Sequence, residues 1–458
     1  MNKRKITKLS SNYRPGRILV SALIALHAGT AFPAGPSIGA TESDPENLNG
    51  ELATENESVE TRAATPDAPP LTQGATDRED HVPLAEAVEM AEGRAHSLRI
   101  LNTEIPAGSY RRLAWTGTEL FEGIQLASPV LVVNGSKPGP TLCLTAAVHG
   151  DELNGIEMVR RVLHELRPNR LSGAVIGVPI VNLQGFKSGT RYLPDRRDLN
   201  RYFPGNAHGS AASRIAHSFF TEIVSHCTAL VDLHTGSFER ANLPQLRANM
   251  SIPDVVTLTE GFGATVIINS VPRAGTLRHE ATKAGIPAVT LEAGGPARLE
   301  PDEVKHGVKG IETLLNTLGM VDKISLWGQP EPIYYRTKWV RADRGGILLN
   351  EVGLGTHVLK GDLLGTITDP ITNAQNQLYA PEDARVIGLA RNQVVMPGFA
   401  AYHLGIEREQ NRPVIASNGH ANRPSEDSSY TQDGAPPGGG QALDPDGGIV
   451  GDSEELSE

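Results

Sequence analysis

A chain of 458 residues is long enough for two or three domains and a large buried core. Its formal net charge of -11 excludes a general nucleic-acid binder, whose phosphate-facing surface needs clustered Lys and Arg. Much of the acid sits in two flanking segments, so the part between them is closer to neutral.

The chain starts basic, with Lys3, Arg4, Lys5, Lys8, Arg14 and Arg17, ahead of the apolar stretch ILVSALIALHAGTAF (18–32). That stretch is shorter than the roughly 20 residues of a membrane helix, and small Gly29 and Ala31 suit a cleavage point after Ala31. Residues 1–31 therefore read as an export signal, with an uncleaved anchor as the competing reading. The mature protein is expected to be periplasmic or secreted, without stable membrane insertion. Residues 32–90 are rich in Glu, Asp, Thr, Ala and Pro and poor in large apolar side chains. Such a segment cannot offset its ordering entropy by burial and reads as a disordered acidic linker.

Residues 91–322 alternate strand and helix signals. PVLVVNG (129–135) and TLCLTAAV (141–148) are strand-like. ELNGIEMVRRVLHELRP (152–168) has helical spacing, with Ile156, Val159, Leu163 and Leu166 near one face and Pro168 ending it. AVIGVPIVN (174–182) and ALVDLH (229–234) are strands around a helix at 210–226. ATVIINS (264–270) and PAVTLE (287–292) are strands, and helices are expected around 277–284 and 302–318. Strands alternating with helices predict an α/β layer architecture with a parallel or mixed central sheet flanked by helices. From 323 to 411 the pattern changes to short strands broken by Gly and Pro, which reads as a small C-terminal all-β domain. Residues 412–458, with PPGGG and GDSEELSE, read as a second disordered acidic segment. Cys143 and Cys227 are the only cysteines, and both a bridge and two buried thiols stay open.

Polar residues gather where these strands end. His149 and Glu152 follow TLCLTAAV, His234 ends ALVDLH, and Glu292 ends PAVTLE. In open α/β sheets, sites form beyond the carboxyl ends of strands. His149-Gly150-Asp151-Glu152 admits two readings: a polar turn whose acids face a helix dipole, or part of a metal site. The joint placement favours the second. Two imidazoles and one carboxylate suit Zn²⁺ and leave a coordination position for water, whose pKa such an ion lowers to about 7. Glu292, as a carboxylate outside the ligand set, is the expected general base and acid. The loop TRYLPDRRDLNRYFPG (190–205) adds a basic cluster. Arg201 beside Asn200 would clamp a substrate carboxylate, and Arg191 would polarise a scissile carbonyl.

HGDE, DLNRYFPG, DLHTG and TLEAGG, in this order and at these separations, resemble the succinylglutamate desuccinylase/aspartoacylase family of zinc carboxypeptidase-like deacylases. LPQLRAN (243–249), GTLRHEATKAGIPAVTLEAGG (275–295), KGDLLGTITD and LYAPEDARVIG also look like that family. The resemblance covers roughly 95–410. It implies one zinc per chain on His149, Glu152 and His234, with Glu292 as general base and then acid. It also implies Asn200 and Arg201 on the substrate's carboxylate, Arg191 on the oxyanion, Asp198 orienting a neighbour, and the β domain shaping the mouth of the site.

The function expected is that of a zinc-dependent amidohydrolase acting through a zinc-bound hydroxide on N-acyl amino acids, such as N-acetyl or N-succinyl ones. The alternative is an exported zinc carboxypeptidase or cell-wall peptide amidase using the same site. A binding protein on a degenerate scaffold ranks below both, because no ligand or base is missing. KGDLLG and APEDARVIG also evoke biotinyl and lipoyl carrier hairpins, but no Met-Lys-Met stands at the turn.

Overall fold

The computed structural model describes residues 96–121, 124–322, 327 and 331–406. The export signal, the acidic linker and the acidic tail read from the sequence lie outside these described residues. The described chain opens with strands β1 (Leu98–Ile100), β2 (Thr103–Ile105), β3 (Ser109–Phe121), β4 (Ile124–Asn134) and β5 (Lys137–Ala146). Helix α1 (Asn154–Glu165), β6 (Ser172–Val178), α2 (Leu183–Ser188), α3 (Ala211–Glu222), β7 (Ala229–His234) and β8 (Arg240–Ala248) come next. Then come α4 (Pro253–Glu260), β9 (Val266–Asn269), α5 (Leu277–Lys283), β10 (Ala288–Gly294) and α6 (Pro301–Thr317). The remainder is all strand: β11 (Ile333–Tyr334), β12 (Thr337–Arg341), β13 (Gly346–Asn350), β14 (His357–Val358) and β15 (Leu363–Thr368). It ends with β16 (Gln375–Tyr379), β17 (Ala384–Ala390), β18 (Gln393–Val395) and β19 (Ala400–Ile406). No described helix is long and apolar enough to cross a membrane.

The expected fold class is the one observed: a mixed central sheet between helices, with a C-terminal all-β region. The sheet runs β12-β19-β17-β8-β10-β7-β5-β6-β4-β3, with parallel pairing at its centre (β10-β7, β7-β5, β5-β6) and antiparallel pairing at β8 and β4. Strands of the C-terminal region thus continue the same sheet through β17, while β16, β15, β13 and β18 form a separate one.

Two apolar cores cover the two faces. On one, Leu144, Val231, Leu233, Val289 and Leu291 meet Met158 and Val162 of α1, Leu258 of α4 and Ile311 and Leu314 of α6. On the other, Cys143, Leu230 and Ala288 meet Ile215 and Phe219 of α3 and Leu277 and Ala281 of α5. Side chains alternate along a strand, so the residues between the first set, Thr145, Asp232, His234, Thr290 and Glu292, share the second face. They make a buried polar stripe at the carboxyl end of the sheet.

The structure differs from the sequence reading at α1, β3, α4 and β8. Helix α1 starts at Asn154 and stops at Glu165, and Met158 and Val162 join its buried face while Ile156 is only half-buried. Strand β3 and helix α4 were not foreseen. Neither was β8, which carries Arg240, Asn242, Gln245, Arg247 and a proline instead of an apolar run. Pro244 is tolerated because β8 pairs with β17 through residues 240–242 and with β9 from Gln245 onward, leaving the missing N–H between the two partners. The register with β10 also shifts there, between Glu292 and Gly294.

Candidate active site

The chain leaves β5 through Ala147, in the left-handed region with φ 49°, and is tied to the next crossover by Val181 N–H donating to Ala146 O and Asn182 N–H to Ala147 O. Gly150 lies so close to α2 that an added Cβ would overlap the backbone of Gly185 and Phe186. This close approach is why HGDE needs glycine at its second position. The turn points His149 and Glu152 inward while Asp151 stays half-buried. Burial and the Glu152 charge push the Asp151 carboxyl upward.

His149, Glu152 and His234 converge. His149 Nδ1 is 2.8 Å from Glu152 Oε1, His234 Nδ1 is 2.9 Å from Glu152 Oε2, and the two Nδ1 atoms are 3.2 Å apart. All three side chains are buried, and one ligand atom from each lies within 4.8 Å of the others. The opposite edge of each imidazole faces an aspartate, at 3.1 Å for His149 Nε2 to Asp198 Oδ1 and 2.8 Å for His234 Nε2 to Asp232 Oδ2. Asp232 is itself fixed by Thr145 Oγ1, which donates to Oδ1 at 2.6 Å. With a divalent ion at the common point, these aspartates would accept the Nε2 hydrogens and leave the Nδ1 lone pairs for the ion. This donor set fits a divalent ion such as zinc, with a carboxylate behind each histidine fixing its tautomer.

The charges respond accordingly. Burial opposes ionisation of Glu152, yet the two imidazoles outweigh it and hold its carboxyl well below the usual range. Burial likewise opposes ionisation of Asp198, and His149, Arg191 and Arg201 overcome it in the same direction. His234 is drawn down by burial but pushed well above its ordinary value by Asp232 and Glu152.

His149, Glu152, Arg191, Asn200, His234 and Glu292 line one small cleft, joined by Thr235, Thr276, Arg278 and Thr290, while Asp198 and Arg201 stand outside its lining. Glu292 sits beside His234 in the parallel β10-β7 register. Its Oε2 accepts from Asn242 Nδ2 at 3.0 Å, and its Oε1 lies 3.5 Å from Arg247 Nε. Arg191 Nη1 donates to Glu152 Oε1 and Nη2 to Asp198 Oδ2, both at 3.1 Å. Arg191 Nε is buried without a hydrogen-bond partner among the described residues. Asn200 Oδ1 accepts from Leu277 N–H at 2.8 Å, which leaves its Nδ2 as the group it offers the cleft.

Arg201 instead turns its Nη1 onto the Asn200 carbonyl at 2.9 Å. The second cleft arginine is Arg278, held by Ser270 O and Oγ at 3.2 Å each. Sequence reasoning passed over Arg278, Asn242 and Arg247. The signal available was their polarity inside segments otherwise buried against the sheet.

A carboxylate beside a buried His-Glu-His cluster, in a cleft walled by arginines at strand ends, marks a hydrolase acting on amide bonds, and comparison with known proteins agrees. Residues 138–318 match the Succinylglutamate desuccinylase/Aspartoacylase catalytic domain, the family that the sequence motifs resemble. It is 29% identical over 255 residues, 53% of this chain and 74% of the relative, to N-alpha-acetyl-L-2,4-diaminobutyric acid deacetylase of Halomonas elongata. A succinylglutamate desuccinylase/aspartoacylase structure from Rhodobacter sphaeroides matches with TM-score 0.59 and 26% identity, covering 68% of this chain and 100% of that one. The fold is also that of the product-bound ectoine utilization protein of Ruegeria pomeroyi, with TM-score 0.59, 23% identity, and 66% and 98% of the two chains covered.

Proposed function

We propose that this protein is an exported, zinc-dependent deacylase that hydrolyses the amide bond of small N-acyl amino acids. The observation that carries the reading is the convergence of His149, Glu152 and His234, each histidine backed by an aspartate, with Glu292 in register beside them. A zinc ion on that trio would polarise the scissile carbonyl and lower the pKa of a water. The chain's own residues supply the rest. Glu292 takes the proton of the attacking water and returns it to the nitrogen as the C–N bond breaks, so that acid and free amine leave. Arg191 offers its unpartnered Nε to the carbonyl oxygen as charge develops there. Asn200 Nδ2 and Arg278 face the carboxylate of the amino acid, a role that the sequence alone assigned to Asn200 and Arg201. The deacetylase relative supports an N-acyl amino acid as substrate. Export is supported by a disulfide between Cys143 and Cys227, which suits an oxidising compartment.

The test combines metal analysis with hydrolysis. The purified mature protein should hold one zinc per chain, and a chelator should lower both Tm and amine release from N-acetyl and N-succinyl amino acids, with zinc restoring both. Cleavage of dipeptides or cell-wall peptides alone would overturn the deacylase reading.

A further inference from the structure

We propose that Phe238, on the turn between β7 and β8, selects the acyl group of the substrate; the inference rests on the deacylase reading above. The turn is closed by Arg240 N–H donating to Ser237 O at 3.1 Å, and its two central residues, Phe238 and Glu239, have φ of 54° and 57°. A turn with both central φ values positive ordinarily takes Asn and Gly. A bulky aromatic there is strained, and such a residue persists only where its surroundings over-determine the backbone.

The surroundings do so through the turn backbone and Glu239. Glu239 O accepts from Arg391 N–H at 2.9 Å and from Gln393 Nε2 at 3.1 Å, both in the C-terminal region. Arg298 Nη2 pairs with Glu239 Oε2 at 3.2 Å, and Gly236 N–H donates to Gly294 O at 2.9 Å. The chain from His234 to Ser237 is buried, as is Arg240, whereas Phe238 is 44% exposed. Those backbone and Glu239 contacts give no reason for a phenyl ring where glycine or asparagine would sit without strain.

Its position supplies one. The loop starts at Thr235, which lines the cleft, and the ring centroid lies 5.8 Å from the guanidinium carbon of Arg191, another cleft residue. Arg240 approaches the same ring at 5.8 Å, so two cations hold it beside the cleft. The amino-acid carboxylate meets Asn200 and Arg278 from the α5 side. The part of the substrate left to meet the β7–β8 turn, beyond Arg191, is the acyl chain. Phe238 gives that chain an apolar wall, and each methylene seated against such a wall is worth about tenfold or more in discrimination.

The experiment measures kcat/KM of the zinc-loaded protein on N-acetyl, N-propionyl, N-butyryl and N-hexanoyl forms of one amino acid. Phe238→Asn should change the ratio between the preferred and the least preferred chain by about tenfold or more. Its Tm should stay equal or rise, because asparagine accepts the positive φ. Phe238→Leu, which keeps an apolar wall, should keep the wild-type order. Unchanged ratios in Phe238→Asn would overturn the proposal, as would an equal loss on all four chains with a lower Tm, which marks a structural role. Wild-type protein that releases no amine from any of the four would overturn the deacylase reading and this inference together, whereas an active wild type with insensitive ratios removes this inference alone.

Discussion

Glu292 is gripped through Asn242 on one carboxylate oxygen and approached by buried Arg247 on the other, and it stands outside the His149, Glu152 and His234 trio. Proton transfer and metal retention are therefore separable by mutation. Glu292→Gln keeps the shape and the Asn242 contact but removes the base. Turnover should fall by about 10²–10⁴ with zinc content unchanged, measured by single-turnover kinetics beside metal analysis. Asp232 gives the opposite pattern. It touches neither substrate nor cleft, yet it faces His234 Nε2 and accepts from Thr145. Asp232→Asn should weaken zinc affinity by about 10–100-fold, read by competition with a chromogenic chelator. Activity at saturating zinc should fall far less than in Glu292→Gln. Equal zinc affinity in Asp232→Asn and wild type would remove the histidine-orienting role of this aspartate.

Secondary-structure elements bring these residues together, and α6 adds a pH dependence of its own. Its first turn carries Asp302 and Glu303 just after Glu300. The helix dipole favours acids there, but burial first, and then the Glu300 and Asp302 charges, push the Glu303 carboxyl up to about 7. The folded state thus holds a proton that the unfolded chain gives up near pH 4.5. This contribution is fully present below that pH and is lost as pH rises through 7. Thermal denaturation should show Glu303→Gln closing part of the gap in stability between pH 5 and pH 8. The part closed is about 1 kcal/mol once solvent screening of a half-buried group is allowed for. An equal gap in both proteins would show that Glu303 titrates normally. The elements also explain what was legible in the sequence. Strands β5, β7 and β10 are apolar runs followed closely by His or Glu, so the cluster of His149, Glu152 and His234 and its neighbour Glu292 could be read from where hydrophobicity stops. Strand β8 could not, since its cleft-side residues are polar and Pro244 breaks the pattern. Asn242, Arg247 and the Phe238 turn were lost with it. In DLNR the sequence marks the loop but not the capture of Asn200 Oδ1 by the distant Leu277 amide.

At the scale of the whole molecule, the sheet crosses from the α/β part into the C-terminal region through β8 and β17, so the two are joined by backbone hydrogen bonds rather than docked. One register path runs from His234 across Glu292 to Gln245, and another from Gly294 through Asn242 and Gly388 to His403. Arg391 reinforces the junction by donating to Glu300 Oε1 at 2.5 Å. A second, covalent constraint lies within the α/β part. The bridge between Cys143 and Cys227, 84 residues apart, closes a loop containing His149, Glu152, Arg191, Asp198 and Asn200. Such a bridge acts mainly on the unfolded chain, removing about 2–4 kcal/mol of its conformational freedom. Neither sulfur lines the cleft. The Cys143→Ala/Cys227→Ala double variant should therefore melt about 5–10 °C lower, while its kcat/KM at 25 °C stays close to that of wild type. Thiol titration of the unfolded, unreduced wild type checks the premise: no reactive thiol fits an exported protein, whereas two per chain would count against both the bridge and export.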